Sequence, residues 1–409
     1  MSILEMQTLV VFREIRKDPL VQDLEQVLVE GDTERYFRMV ERLLTGGEKV
    51  MGLKEYLARL LVTTETSFTM ACERKEPFPF DQCVYDELAI LGRLADMSAS
   101  ELGKMAGTQR TYRQIVDHPV NEAYAPIADN LTAQKDPVEL ARAIRDYVER
   151  YGCGIWSQAS AFSFDGCIRP IHRKQDYSLD LMIGNESQLT ALRLNTEAFL
   201  SGEIALNALL HGDRGTGKSS TVRGILNAYE DQGLKMIEVS KPHWEKIDSL
   251  MDQLRPRGCR FIIFIDDLSF EDYESAYKSL KAVIEGELEG KPDHVLIYAT
   301  SNRRHLIRET WTDRMGDADD VHPEDSVQEK LSLSDRFGLV IRYGTLNRDE
   351  YYDMTMIMAR RMGLDMPEEE LRTRAKYWQL AGHGMSGRSV EQLIISIMTE
   401  NVAGKKNPQ

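Results

Sequence analysis

The 409-residue chain contains no run approaching the roughly 18 consecutive apolar residues that a helical membrane span requires, so no membrane partner is expected. Cysteine is scarce: Cys72, Cys83, Cys153, Cys167 and Cys259 are an odd set, widely spaced and without a Cys-x-x-Cys pair. That argues against a disulfide framework or a zinc site and suits reduced thiols in a cytosol. The N-terminus MSILEMQTLVVFREIRK has no basic residue ahead of its short apolar stretch, which Glu5 and Arg13 interrupt, so no signal peptide is expected. Basic charge is in deficit. With 66 Asp and Glu against 51 Lys and Arg, the net charge is −15, which disfavours non-specific binding to a phosphate backbone. Up to about residue 150 nothing repeats at a fixed period. A cytoplasmic location follows from these absences taken together.

What is present is a folded composition, 42% hydrophobic and 29% charged, in a chain long enough for two or three domains. Residues 1–150 read as a helical N-terminal domain, with segments near 3–16, 33–45, 52–72, 81–95 and 137–150. The last is well punctuated by Asp136 as cap, Pro137 at the first helical position and Glu139 at the third. Gly46-Gly47 and Glu76-Pro77-Phe78-Pro79 read as breaks, and Tyr36, Phe37 and Met39 as core. Residues 151–179 read as a linker with a β-hairpin, in which the strands 161–164 and 167–171 flank Asp165-Gly166. The basic run Arg169, His172, Arg173 and Lys174 is taken as a solvated linker face. Residues 180–345 read as an α/β core with a parallel sheet covered on both faces, its strands at 206–210, 235–239, 261–265, 295–299 and 338–343. Residues 346–409 are helical again: Asn347 and Glu350 form a cap pair, and further helices lie near 367–380 and 388–401.

The densest chemistry is at 212–219, GDRGTGKS, after an apolar run and before a helix-forming stretch. Gly212, Gly215 and Gly217 allow backbone N–H groups to curl around phosphate oxygens, joined by Asp213, Arg214, Thr216 and Ser220 of the same turn. The following helix presents its positive dipole end to the anion. Lys218 is placed to reach the β- and γ-phosphates, and the hydroxyl of Ser219 to complete a Mg²⁺ shell. The apolar run Phe261–Ile265 suits a strand buried on both faces, and it ends in Asp266-Asp267, where α/β sheets bind ligands. Asp266 is expected to support the metal and Asp267 to orient or deprotonate the attacking water. On the residues alone, the alternative that one of them caps the following helix stays open.

In their order, GDRGTGKSS, FIDDLSF, IYATSNRRH and SLSDRFG resemble AAA+ ATPases, and in detail a bacterial AAA+ family known chiefly as a domain of unknown function, over about residues 180–400. The resemblance implies a five-stranded parallel sheet followed by a helical lid, with ATP and Mg²⁺ as ligands and a homo-oligomer, ring or filament. By position, Ile183-Gly184 resembles the adenine-side contact. Asn302 resembles the sensor-1 residue, with Thr300 and Ser301 as neighbours that a loop shift would substitute. Arg336 resembles the arginine finger presented to a neighbouring subunit, with Arg314 as the fallback, and Arg388 resembles sensor 2. Two departures stand out. The second acid is Asp267 where many relatives have Glu, which makes slow hydrolysis the expectation, and 240–245 lacks an aromatic-apolar-Gly pore loop, so Trp244 reads as packing.

Residues 308–330 carry eight acids and three bases and read as a long acidic loop, preceded by the basic cluster Arg303-Arg304-His305. The function expected is therefore an ATPase that binds and hydrolyses MgATP to remodel or assemble a macromolecular partner selected by the N-terminal domain. The alternatives are an ATP-dependent switch or scaffold with little turnover, or a nucleic-acid remodeller akin to helicase loaders, which the net charge disfavours. A small-molecule kinase would leave Arg336 and the lid unexplained.

Overall fold

The computed structural model describes residues 4–45, 50–120, 122–172, 177–179, 182–268, 291–302 and 337–405. The chain divides into two compact units, Met1–Ala159 with Arg257–Cys259, and Ser160–Pro256 with Arg260–Gln409.

The first unit is helical among its described residues, around a core that includes Phe12, Tyr36, Leu57, Phe68, Leu88 and Ile144. Its N-terminus departs from the expected helix over 3–16. Only Leu4–Gln7 and a 3-10 turn at Arg13–Lys17 form there. The carboxylate of Glu87 accepts the backbone N–H groups of Val10, Val11 and Phe12 at 2.8, 3.0 and 2.9 Å, bonds that a continuous helix would have kept for itself. The helix that does form is Pro19–Glu30, where Asp18 caps Leu20 and Val21 and Pro19 takes the first position. The segment expected at 52–72 is two helices, Leu53–Thr63 and Ser67–Glu73, parted at Thr66, which forms a reciprocal capping box with Thr69. A second box, Ser98 with Glu101, starts Ala99–Met105. Helix Pro137–Tyr151 begins on Asp136 and buries Leu140, Ala141, Ile144 and Val148, spaced to share one face. The tripeptide Arg257–Cys259 is held in this unit by Arg257, whose guanidinium meets Glu73 and Glu65 and the carbonyl of Cys153.

The second unit is built on a seven-stranded sheet: β1 (Ala161–Phe164), β2 (Ile168–Pro170), β3 (Ala208–Gly212), β4 (Leu234–Val239), β5 (Arg260–Ile265), β6 (Val295–Ser301) and β7 (Leu339–Tyr343). The order is β2-β1-β4-β5-β6-β3-β7. Every pairing is parallel except β1 with β2. Two expectations change here. The sheet has seven strands, not five, and the hairpin is no free-standing linker ribbon, because β1 lies parallel to β4 with Phe162 opposite Ile237. In a five-stranded sheet β4 would be an open edge, and the hairpin pairs its N–H and C=O groups. Strand β3 runs to Gly212, two residues beyond the expected end, because the buried His211 continues the ladder opposite Ser301 and Arg342.

Buried positions alternate little in β5 and β6, as a strand covered on both faces requires. Helices Glu186–Leu200 and Lys218–Tyr229 pack on the sheet through Leu192, Phe199, Val222 and Ile225. After β7, Asn347 and Glu350 cap each other's backbone and start Arg348–Arg361. Helices Glu368–Trp378 and Gly387–Lys405 follow, and the three close around Tyr351, Leu371, Val390 and Ile394. Among the described residues no helix is long and apolar enough to cross a membrane.

Candidate functional site

The loop from Gly212 to Ser219 leaves the C-terminal end of β3 and turns into helix Lys218–Tyr229. Three of its residues need glycine: φ is +147° at Gly212, +79° at Gly215 and +91° at Gly217. A Cβ on Gly212 would also stand 2.2 Å from the carbonyl oxygen of Tyr343 on β7. Lys218 lies under the loop, only 4% exposed, and its Nζ donates to the carbonyls of Gly212 at 2.9 Å and Asp213 at 2.7 Å. Burial pushes the ammonium down to about 8, against the opposing pull of Asp213, Asp266 and Asp267. Thr216 Oγ1 donates to the same Asp213 carbonyl, Ser220 is half-buried in the first helical turn, and Arg214 is exposed.

The acid pair follows β5. Asp266 Oδ1 accepts from Ser219 Oγ and from Thr300 Oγ1, both at 2.6 Å. Its other oxygen faces Arg223 Nη2 at 3.2 Å. Asp267 has φ +56°, a left-handed conformation that costs a side-chain-bearing residue about 1–3 kcal/mol and needs surrounding bonds to hold it. Those bonds are visible: its N–H donates to Thr300 Oγ1 at 2.9 Å, Asn302 Nδ2 donates to Oδ1 at 2.6 Å, and Lys241 Nζ pairs with Oδ2 at 3.0 Å. Desolvation would raise the Asp267 carboxyl, yet the bonds from Lys241 and Asn302 and the charges of Lys241 and Arg214 outweigh it and hold it below the usual carboxylate range. Because β6 lies between β5 and β3, Thr300 and Asn302 at its end stand between acids and loop.

The C-terminal helices approach the same loop. A Cβ on Gly215 would be 3.0 Å from Ser386 Oγ and 3.7 Å from the Cβ of Arg388, so helix Gly387–Lys405 begins beside the backbone of this loop. Arg388 is exposed. Gly184 has φ +76°, and a Cβ there would be 2.8 Å from Glu350 Oε2 and 3.0 Å from Leu346 Cδ2, while Ile183 packs against the C-terminal helical cluster. Thus Ile183, Gly184, Lys218, Ser219, Asp266, Asp267, Asn302 and Arg388 all belong to one unit. Arg336, Arg314, the Arg303-Arg304-His305 cluster and the acidic segment 308–330 lie outside the described residues. Trp244 is buried, and its Nε1 donates to Val239 O at 3.3 Å, the packing role expected.

Sequence reasoning missed Arg223 and Lys241 and gave Thr300 only as a substitute. The spacing of Ser219 and Arg223, four apart on one helix, was the available signal for the first. Lys241 follows β4, and only the order β4-β5 in the sheet brings it to Asp267.

A parallel sheet with a phosphate-type loop after β3, an acid pair after β5, polar side chains after the intervening β6 and a helical lid against the loop defines an AAA+-type P-loop fold. A family model described as protein of unknown function (DUF815) matches residues 156–401, and the chain belongs to that family. No curated protein matches the chain. Among solved structures, the Thermotoga maritima RuvB Holliday junction branch migration motor is 18% identical, with 56% of this chain and 67% of that chain covered and a TM-score of 0.41. The Aeropyrum pernix ORC1 protein, solved in complex with DNA, is 18% identical, with 55% and 62% covered and a TM-score of 0.41. Caenorhabditis elegans PCH-2 is 16% identical, with 56% and 72% covered and a TM-score of 0.34.

Proposed function

We propose that the protein binds ATP with Mg²⁺ at the loop 212–219, hydrolyses it slowly, and uses the cycle to remodel or assemble a macromolecular partner. The observation that carries this reading is one hydrogen-bonded network across three strand ends, in which Ser219 and Thr300 share Asp266 Oδ1 and Asn302 holds Asp267 Oδ1. The site suits the ligands. The positive-φ glycines leave a loop whose backbone can approach phosphate closely, and Ser219 Oγ and Asp266 Oδ1 are hard oxygen donors of the kind Mg²⁺ prefers. When bound, Mg²⁺ would neutralise charge on the phosphate oxygens. In this reading Lys218 binds phosphate, Asp267 orients or deprotonates water, Asn302 positions it, Arg388 reports on nucleotide from the lid, and Arg336 completes the site of a neighbouring subunit. The N-terminal helical unit selects the partner.

A turnover assay tests this. Asp267→Asn is expected to lower ATP hydrolysis by about 100-fold or more while ATP still binds, and Lys218→Ala to abolish binding. Equal turnover in wild type and Asp267→Asn would remove the hydrolytic role. A second reading, an ATP-dependent switch whose bound state matters more than its turnover, is favoured by the ion pair of Lys241 with Asp267, which makes the carboxylate a weaker base. Nucleotide binding with negligible turnover, even in the assembled protein, would select it.

A further inference from the structure

Ser219 and Arg223 stand four residues apart on helix Lys218–Tyr229, hence on one face, and both address the same carboxylate. Ser219 Oγ donates to Asp266 Oδ1 at 2.6 Å, and Arg223 Nη2 donates to Asp266 Oδ2 at 3.2 Å. The guanidinium is anchored on its other sides as well. It meets Glu238 Oε1 on β4 at 3.0 Å, and it lies 5.2 Å from the centre of the Phe264 ring and 5.8 Å from that of Tyr177. With partners on β4, on β5 and at Tyr177, it is a fixed cation, and an arginine keeps its charge at every working pH. The oxygen that a metal could share with Ser219 is therefore Oδ1, because Oδ2 already faces the guanidinium, whose positive charge opposes a second cation at this carboxylate.

We propose that Arg223 is a positioning residue which holds Asp266 with Oδ1 toward Ser219 and, by its charge, keeps divalent cations out of this site until triphosphate brings its own negative charge. The proposal rests on the reading of Ser219 and Asp266 as metal-supporting residues. Among the described residues, no three His, Cys, Asp or Glu side chains converge on a common point, so the described donors alone do not fill a metal shell. A magnesium site of this kind is completed by water and substrate phosphate, and a resident cation beside Asp266, the carboxylate that accepts from Ser219, strengthens that dependence. The consequence is order: metal enters with nucleotide, not before it.

Binding of Mn²⁺, followed by electron paramagnetic resonance at fixed ionic strength, reads this without turnover. Nucleotide-free wild type is expected to bind Mn²⁺ weakly, and Arg223→Met to bind it on the order of tenfold more tightly. Arg223→Lys, which keeps the charge, is expected to restore weak binding, whereas a merely structural arginine would not distinguish Met from Lys in this direction. If Arg223→Met does not fold, Arg223→Gln keeps an N–H donor for Glu238 without the charge and is expected to give the same gain. Unchanged or weaker Mn²⁺ binding in the folded neutral variant overturns the proposal. The same titration with ATP present separates the two levels. Failure of wild type to bind Mn²⁺ with ATP, or binding indifferent to Asp266→Asn, overturns the metal reading itself. Normal Mn²⁺-ATP binding with no gain in the neutral variants overturns only the role of Arg223.

Discussion

Lys218 and Lys241 are two cations with opposite consequences at neighbouring atoms. The ammonium of Lys218 is buried beneath the loop and pushed down to about 8, so in the free protein about half of it is neutral near pH 8 and most of it above that. A bound phosphate favours the charged form, and binding above that pH must therefore take up a proton. ATP affinity is expected to be flat up to about pH 7, to bend near pH 8 and to fall by up to about tenfold per pH unit above it, with Lys218→Arg flattening the profile if that variant binds. Calorimetric titration between pH 7 and 9.5 checks this, and a flat wild-type profile would contradict the placement of Lys218 against phosphate. The sign for folding is the reverse. Between pH 8 and the ordinary lysine value the unfolded chain holds more protons than the folded one, so the contribution of Lys218 to stability rises with pH across that window. Lys241 acts on Asp267 instead. It occupies Oδ2 at 3.0 Å and helps to hold the carboxyl low, which weakens it as a base. Lys241→Met is expected to raise single-turnover ATP hydrolysis severalfold while leaving ATP affinity within about twofold. A fall in rate would mean that Lys241 aligns Asp267 rather than restraining it.

Elements translate these contacts into a fixed geometry, and Gly212 is where two of them meet. At φ +147°, with Tyr343 O 2.2 Å from the position of any Cβ, Gly212→Ala must shift either the loop or β7. A loss of about 1–3 kcal/mol in denaturant unfolding, together with weakened ATP binding, is expected. A variant as stable as wild type would show that β7 yields easily. The same local-against-distant contrast decides what the sequence disclosed. Strands β5 and β6 were legible because five or more consecutive apolar residues mark burial on both faces, and the glycine loop after β3 and the acid pair after β5 were legible as positions because each is a run of contiguous residues. Pro137–Tyr151 was legible from Asp136-Pro137. The same signal stands at Asp18-Pro19 and marks the start of helix Pro19–Glu30, whereas the expected segment over 3–16 lies on its other side. What broke the helix over 3–16 is Glu87, more than seventy residues away, and no local propensity reports that capture. The hairpin was recognised through Asp165-Gly166, whereas its place beside β4 depends on a pairing some seventy residues distant. Arg223 and Lys241 escaped for the same reason, since each becomes part of the site only when β4, β5 and the loop helix lie side by side.

At the scale of the whole molecule, one consequence of the proposed function concerns more than one chain. If Arg336 completes the ATP site of a neighbour, no isolated subunit holds a whole site, and turnover must depend on protein concentration as well as on ATP. The net charge of −15 opposes self-association at low ionic strength, so assembly is expected to strengthen with moderate salt, the opposite of the trend for a protein gathered on nucleic acid. Two inactive variants test the arrangement directly. Arg336→Ala retains its own acid pair, and Asp267→Asn retains its own arginine. In a mixed assembly, a site belonging to the first that faces the arginine of the second is complete. Random mixing in equal amounts should therefore restore about one quarter of the wild-type rate per site, because half of the sites have an intact acid pair and half of those face an intact arginine. If each arginine serves its own subunit, the mixture stays as inactive as its components. The experiment needs both variants to assemble as wild type does, which mass measurement before mixing establishes, and recovery that rises with total protein concentration would place the missing half of the site in the next subunit.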